Sequence, residues 1–320
     1  MDRFVKLLET EIRKSKFGSS PRSLYDPIHY MMSLGGKRTR PLLTILSYTL
    51  YRDDAEKIIP YAAAVEAFHN FTLIHDDIMD QAPLRRGKVT VHQKWDVNTA
   101  ILAGDVLMVK VYERFLSLEE KKLKEVLTLF NACASAVCEG QQWDMEFESS
   151  RKVSVNQYIR MIELKTAVLL GFSLELGAVL GDAPEKDKKI LRDFGINLGI
   201  AFQLQDDLLD VYGDRKKFGK RPGGDIISNK KTFLLIHAMN RAKGAKGKEL
   251  KRWLSAKKFD KTKKVKAVAA LYDALGVREL TEKAVNRYKS KASKCLDQLS
   301  VPLRANGLRQ FVQDLAIRQK

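Results

Sequence analysis

Apolar residues recur at helical intervals along most of this 320-residue chain, and that periodicity restricts its fold more than any other feature. It marks amphipathic segments near residues 3–15, 38–51, 61–79, 97–116, 120–141, 155–181, 187–212 and 280–299. Runs of β-branched residues alternating with polar ones, the mark of strands, are scarce. The punctuation agrees. Pro21, Pro27, Pro83, Pro184, Pro222 and Pro302 fall at the expected helix boundaries, while Pro41 and Pro60 suit first turns. Gly35-Gly36, Gly87, Gly181, Gly219 and Gly223-Gly224 mark the same joints. No low-complexity linker interrupts the pattern. The expectation is an all-α protein in which residues 1–320 form one large domain of about a dozen packed helices.

Hydrophobic residues at 45% and charged residues at 30% are ordinary for a soluble globular protein. The longest apolar run, Ala167 to Gly181, is too short to span a bilayer and contains Glu175. The N-terminal stretch is charged and amphipathic, without the apolar core of a secretion signal. Cys133, Cys138 and Cys295 match neither a disulfide framework nor a zinc pattern, which suggests buried thiols in a reducing, cytoplasmic compartment. The net charge of +18 is uneven: residues 231–320 hold 23 Lys and Arg against 7 Asp and Glu. With no finger, base-stacking motif or helix-turn-helix beside it, this reads as a solvated surface, not a nucleic-acid site. The lysine-rich stretch 243–266 is expected to be a surface helix pair.

Chemistry concentrates in FTLIHDDIMD, residues 71–80, and FQLQDDLLD, residues 202–210. Each places Asp-Asp-x-x-Asp in an otherwise apolar helical segment. Asp76 and Asp80, like Asp206 and Asp210, share a helix face and repel each other by roughly 0.2–0.5 kcal/mol per pair. Burial raises that cost unless cations accompany the carboxylates. A sequence carrying it twice suggests a bound cation or a cluster of cationic side chains, and magnesium, which takes one or two carboxylates plus phosphate oxygens and water, suits the donors. Salt bridges at solvated faces would be the plainer explanation for one cluster; two copies beside basic motifs argue for metal.

Those basic motifs are short. LGGKRTRP, residues 34–41, sets Lys37, Arg38 and Arg40 at a helix start, a ready anion site. LRRGK, residues 84–88, supplies arginines that can grip phosphate bidentately. Lys165-Thr166 interrupts an apolar helix, and FGKRPGGDIISNKKT, residues 218–232, brings Lys220, Asp225 and Lys230 after the second cluster. His69, seven residues before Asp76, lies on nearly the same helix face; His75 reads as structural.

GGKRTRP, DDIMD followed by LRRG, Gly140-Gln141, Lys165-Thr166, FQLQDD and GK…GGDI…KKT together resemble the trans-isoprenyl diphosphate synthases. The resemblance runs in order across residues 34–232. It implies the isoprenoid synthase fold, one helical bundle around a deep central cavity, and condensation of allylic diphosphates with isopentenyl diphosphate. It implies three magnesium ions held by Asp76, Asp77, Asp80, Asp206, Asp207 and Asp210, with Asp76, Asp80 and Asp206 the foremost direct ligands. Arg85, Lys165, Lys220 and Lys230 correspond to the allylic diphosphate site, and Lys37, Arg40, His69 and Arg86 to the isopentenyl diphosphate site. Thr166 and Gln203 correspond to polar groups near the developing carbocation. A homodimer is the family expectation.

Product length is expected to depend on the helix bearing DDIMD. Phe71, five residues and ~7 Å along the helix before Asp76, is a candidate floor for the growing tail; Thr72, one turn before Asp76, is small. In the family this combination resembles geranylgeranyl (C20) synthases, with farnesyl (C15) synthases next. A class I terpene cyclase would share one aspartate cluster but need no second diphosphate site. A non-catalytic synthase subunit would lack motif residues that are intact here.

Overall fold

The computed structural model describes residues 2–213 and 223–317. Helices dominate it, as the periodicity requires: α1 Asp2–Lys14, α2 Arg22–Ser33, α3 Thr39–Tyr48, α4 Ile59–Met79, α5 Val91–Lys94, α6 Val97–Phe115, α7 Glu120–Ser149, α8 Val155–Ile162, α9 Val168–Leu180 and α10 Glu185–Tyr212. They are followed by α11 Gly224–Ser228, α12 Phe233–Arg241, α13 Gly244–Ser255, α14 Lys261–Ala274, α15 Val277–Asp297 and α16 Asn306–Ile317. Two-residue strands β1, Leu84–Arg85, and β2, Lys88–Val89, pair antiparallel. No helix is long and apolar enough to cross a membrane among the described residues.

The starts follow local chemistry. Pro60 occupies the first turn of α4, where its missing N–H is no loss. Ser154 and Gln157 form a reciprocal capping box on α8. Asp96, Thr232 and Asp260 cap α6, α12 and α14 by accepting hydrogen bonds from backbone N–H groups.

Some expectations are corrected. Pro27 lies inside α2 instead of at a boundary. Cys133 is buried, but Cys138 is exposed and Cys295 half-buried, so the thiols are not uniformly interior. The segment 155–181 is not one regular helix: Glu163–Ala167 forms a π turn between α8 and α9. The lysine-rich stretch does form the helix pair α13 and α14. Pro222 and Gly219 lie outside the described residues.

The chain gathers into two compact units. The first comprises Met1–Cys133, Leu170–Arg192 and Leu296–Lys320. Its centre is α4, whose buried Ala62, Ala63, Ala64 and Ala67 allow α1, α3 and α6 to pack closely. Arg38, almost fully buried, donates to Glu9 of α1 (2.8 Å) and Glu66 of α4 (2.6 Å). The second unit comprises Ala134–Leu169 and Asp193–Cys295. Tyr158, Met161, Ala167, Ile200, Leu204, Phe233, Leu234 and Val268 form part of its apolar core.

Candidate active site

Both aspartate clusters close their helices. Asp76 and Asp77 lie in the last turn of α4 with Asp80 as its C-cap, and Asp206, Asp207 and Asp210 lie in the last two turns of α10. Carboxylates there oppose the helix dipole, whose C-terminal end already carries negative potential. Such placement disfavours the fold by a few tenths of a kcal/mol to about 1 kcal/mol per charge unless a cation sits nearby.

Within each cluster the structure separates the middle aspartate from the outer two. Asp77 is buried, and Arg85 Nε donates to both of its oxygens at 2.8 and 2.9 Å; Arg85 also reaches Asp76 at 3.3 Å. Burial pushes the Asp77 carboxyl above its ordinary pKa although Arg85 pulls it down. Asp207 is likewise buried and accepts from Tyr158 Oη and, at 3.2 Å, from Gln203 Nε2. Its pKa rises to about 6, chiefly through desolvation. Thus Asp77 and Asp207 are already satisfied by protein donors. Asp76, Asp80, Asp206 and Asp210 are the more accessible carboxylates.

In the first unit the basic motifs converge. Arg86 and Gly87 both have positive φ, 53° and 74°, the signature of a type I′ turn, and this tight hairpin of β1 and β2 presents Arg85 and Arg86 together. Arg86 donates to the Gly35 carbonyl. Arg40 Nη1 lies 3.1 Å from His69 Nε2. A guanidinium only donates, so Nε2 accepts and the imidazole proton sits on Nδ1. Desolvation, then the charges of Arg40, Arg86, Arg85 and Arg38, hold the His69 pKa well below its ordinary value. A neutral histidine adds no charge of its own to these guanidiniums, and its Nδ1–H is a hydrogen-bond donor. Exposed Lys37 precedes Arg38 in the same loop, and Arg38 itself is committed to Glu9 and Glu66.

In the second unit Lys165 and Thr166 lie on the π turn, where the Val168 N–H bonds to the Glu163 carbonyl. Gly140 permits this: a Cβ there would sit 2.2 Å from the Lys165 backbone nitrogen. Thr166 Oγ1 donates to Gln203 Oε1 at 3.2 Å, which extends the chain Thr166–Gln203–Asp207–Tyr158. Lys165 and Lys230 both donate to Asp144 Oδ2, at 2.7 and 3.3 Å. Although burial works against ionisation, the Lys230 and Lys165 charges keep Asp144 below its ordinary pKa. Asp225, whose N–H bonds to Asp210 Oδ2 at 2.9 Å, has its pKa raised to about 7 by desolvation and by Asp210 and Asp207. Asp144 and Tyr158 carry no sequence signal of their own. Lys220 lies outside the described residues.

The donor set suits magnesium. It is made of hard carboxylate oxygens, and desolvation, with a lesser share from neighbouring carboxylates, raises the pKa of Asp207 and Asp225, yet no three His, Cys, Asp or Glu side chains among the described residues form a closed cage. Magnesium needs no such cage when water and phosphate oxygens complete its shell.

The polyprenyl synthetase family model matches residues 21–272. This chain belongs to the polyprenyl synthetase family. It is 45% identical over 228 residues to a short chain isoprenyl diphosphate synthase of Methanocaldococcus jannaschii, covering 71% of this chain and 69% of that one. A crystal structure of a geranylgeranyl pyrophosphate synthase superposes with a TM-score of 0.93 at 42% identity, covering 100% of this chain and 98% of that one. The polyprenyl synthase from Caulobacter crescentus, solved with calcium and isoprenyl diphosphate, is 28% identical with a TM-score of 0.82, covering 99% and 92%. The chain is therefore a prenyltransferase with the all-α isoprenoid synthase fold, and magnesium is the metal expected of its family.

Proposed function

We propose that this synthase condenses C5–C15 allylic diphosphates head to tail with isopentenyl diphosphate and releases mainly geranylgeranyl diphosphate. The reading rests on one observation above all: the basic residues form two separate sets. Arg40, His69 and Arg86 gather in the first unit, while Lys165 and Lys230 share Asp144 in the second. Two diphosphates need two cationic sets; a terpene cyclase needs one. The C20 preference rests on Phe71 and on the likeness to a geranylgeranyl pyrophosphate synthase.

In this proposal residues 1–320 act as one catalytic domain, to which both aspartate clusters contribute carboxylates. Asp76, Asp80, Asp206 and Asp210 would hold up to three magnesium ions, whose chemistry there would be Lewis-acid neutralisation of diphosphate charge. Lys165 and Lys230 add fixed positive charge to that oxyanion, and Lys220 joins them by family correspondence. Lys37, Arg40, His69 and Arg86 orient isopentenyl diphosphate, its double bond toward the cation. Thr166 and Gln203 turn oxygens toward that cation while apolar walls exclude water. The test is radiolabelled isopentenyl diphosphate incubated with C5, C10 and C15 primers and magnesium, followed by sizing of the products. Cyclised hydrocarbon from an allylic diphosphate alone, or no turnover by the chain on its own, would reject the reading.

A pH dependence follows from Asp207 and Asp225. Both pKa values lie above those of an unfolded chain, so their protonated forms stabilise the ligand-free protein at low pH, and this contribution fades as pH rises through about 6 to 7. Divalent metal competes with those protons. Magnesium with pyrophosphate is expected to raise the melting temperature more at pH 8 than at pH 6; equal shifts would contradict this.

We further propose a cytoplasmic homodimer. Leu102, Val109 and Leu116 recur every seventh residue along α6 and its C-cap and are 56%, 54% and 61% exposed. A second copy offering the same stripe would bury them. Replacing Leu102 and Val109 by Glu should halve the mass measured by light scattering; an unchanged mass would place the contact elsewhere.

A further inference from the structure

The basic C-terminal third contains one lysine that is no part of a solvated surface. Lys264, on α14, is 0% exposed. Its Nζ donates to Asn229 Oδ1 at 2.7 Å and to the Ile227 carbonyl at 3.2 Å, and it lies 4.2 Å from the centre of the Phe259 ring. A buried ammonium is tolerated only when its donors are met. Here both hydrogen-bond acceptors belong to one short segment, and that segment leads directly into Lys230.

The same helix pair holds the segment at two further points. Asn229 Nδ2 donates to the Leu254 carbonyl, at the end of α13, at 3.1 Å. Gly223 rests against Val265 so closely that a Cβ would meet Val265 Cγ2 at 2.5 Å. Between these contacts the backbone takes two left-handed residues, Gly223 at φ 89° and Asn229 at φ 57°. For asparagine that conformation is uncommon and needs local support.

What the clamp fixes is the second half of the diphosphate site. The Gly223 N–H bonds to the Asp210 carbonyl at 2.5 Å, and the Asp225 N–H to Asp210 Oδ2 at 2.9 Å. The Lys230 N–H bonds to the Asp225 carbonyl at 2.9 Å, and Lys230 Nζ reaches Asp144. Moving the turn would carry Asp225 and Lys230 away together.

We propose that Lys264 is a positioning residue for the allylic diphosphate site: from outside the recognised motifs it holds the turn 223–229, and thereby Asp225 and Lys230, in the geometry that receives metal and diphosphate. This rests on the synthase reading given above. Lys264 touches no substrate, so its effect should be selective. A general loss of fold would instead lower turnover for both substrates alike.

The experiment compares the full-length wild-type chain with Lys264→Met, which keeps length but removes the donors, and Asn229→Gly, which keeps the left-handed backbone but removes the acceptor. Exposed Lys263→Met serves as the control. Lys264→Met and Asn229→Gly are each expected to raise the KM for the allylic substrate and the half-saturating magnesium concentration about tenfold, while the KM for isopentenyl diphosphate stays within twofold. The effect of the double variant should fall short of the product of the two single effects, because both break the shared Lys264–Asn229 contact. Unchanged allylic KM and magnesium response in Asn229→Gly would overturn the proposal, and that variant decides if Lys264→Met does not fold. Parallel rises for both substrates would also overturn it, since they report a structural role alone. Absence of magnesium-dependent turnover in the wild type is a separate result, which rejects the synthase reading and not the clamp.

Discussion

Replacing Asp80 or Asp206 by Asn is expected to lower kcat by about 10²- to 10³-fold, the scale of losing one electrostatic contributor to a developing charge. Stability should change little, by at most about 1 kcal/mol, because a carboxylate removed from a helix C-terminus relieves an adverse dipole interaction. Asp77→Asn should invert that pattern. Asp77 is buried against Arg85, and breaking the pair should cost about 3 kcal/mol, the low end for buried ion pairs because Arg85 keeps some solvent contact. Its effect on turnover should come mainly through Arg85. Steady-state kinetics paired with chemical denaturation separates these outcomes. Should Asp80→Asn and Asp77→Asn lose activity and stability in the same proportion, the division between accessible ligands and a buried anchor would fail.

Phe71→Ala is expected to shift the principal product beyond C20. The half-buried Phe71 ring lies 5.6 Å from that of Phe68 and 4.8 Å from His75. Below it lies an aromatic cluster: Phe68 meets Phe130 at 5.0 Å, and Phe130 meets Phe115 at 5.2 Å and Phe172 at 5.7 Å. Phe68 and Phe130 are essentially unexposed, so removing Phe71 opens one tier above a second that remains. Elongation should therefore advance by a limited step and not run on. Adding Phe68→Ala should permit further growth but lose about 3–5 kcal/mol of stability, as for other buried aromatics. Chromatography of the dephosphorylated products reads the result. A distribution identical to wild type would remove Phe71 from the floor.

The helical plan was legible because apolar period and capping act locally. Expected segments 61–79, 97–116 and 187–212 correspond to Ile59–Met79, Val97–Phe115 and Glu185–Tyr212. The π turn was not, since one inserted residue barely disturbs the apolar pattern of 155–181, and the glycine that leaves room for it, Gly140, is distant in sequence. The site was legible as motifs but not in its division of labour. Asp-Asp-x-x-Asp reads the same whether the middle carboxylate binds metal or, as the contacts of Asp77 and Asp207 suggest, braces an arginine or a tyrosine. Arg38 and Arg40 look equivalent in GGKRTRP, yet Arg38 ties α1 to α4 while Arg40 meets His69. Asp144 was silent because one acid in a long helix has no spacing to mark it. Its importance appears only when Lys165 and Lys230, 65 residues apart in sequence, converge on one oxygen.

The wide turn at Glu163–Ala167 amounts to one residue too many for a regular helix. Excising a single residue there would let the backbone hydrogen bonds revert to their usual spacing while the flanking turns kept nearly their present orientation, because the wide turn already absorbs the extra ~100° about the helix axis. Ser154's cap and the Tyr158 hydroxyl would stay close to their places, whereas Lys165 and Thr166 would lose the wide turn that displays them. The length of this stretch consequently matters through the turn alone, and a shortened descendant would gain helical regularity at the expense of chemistry.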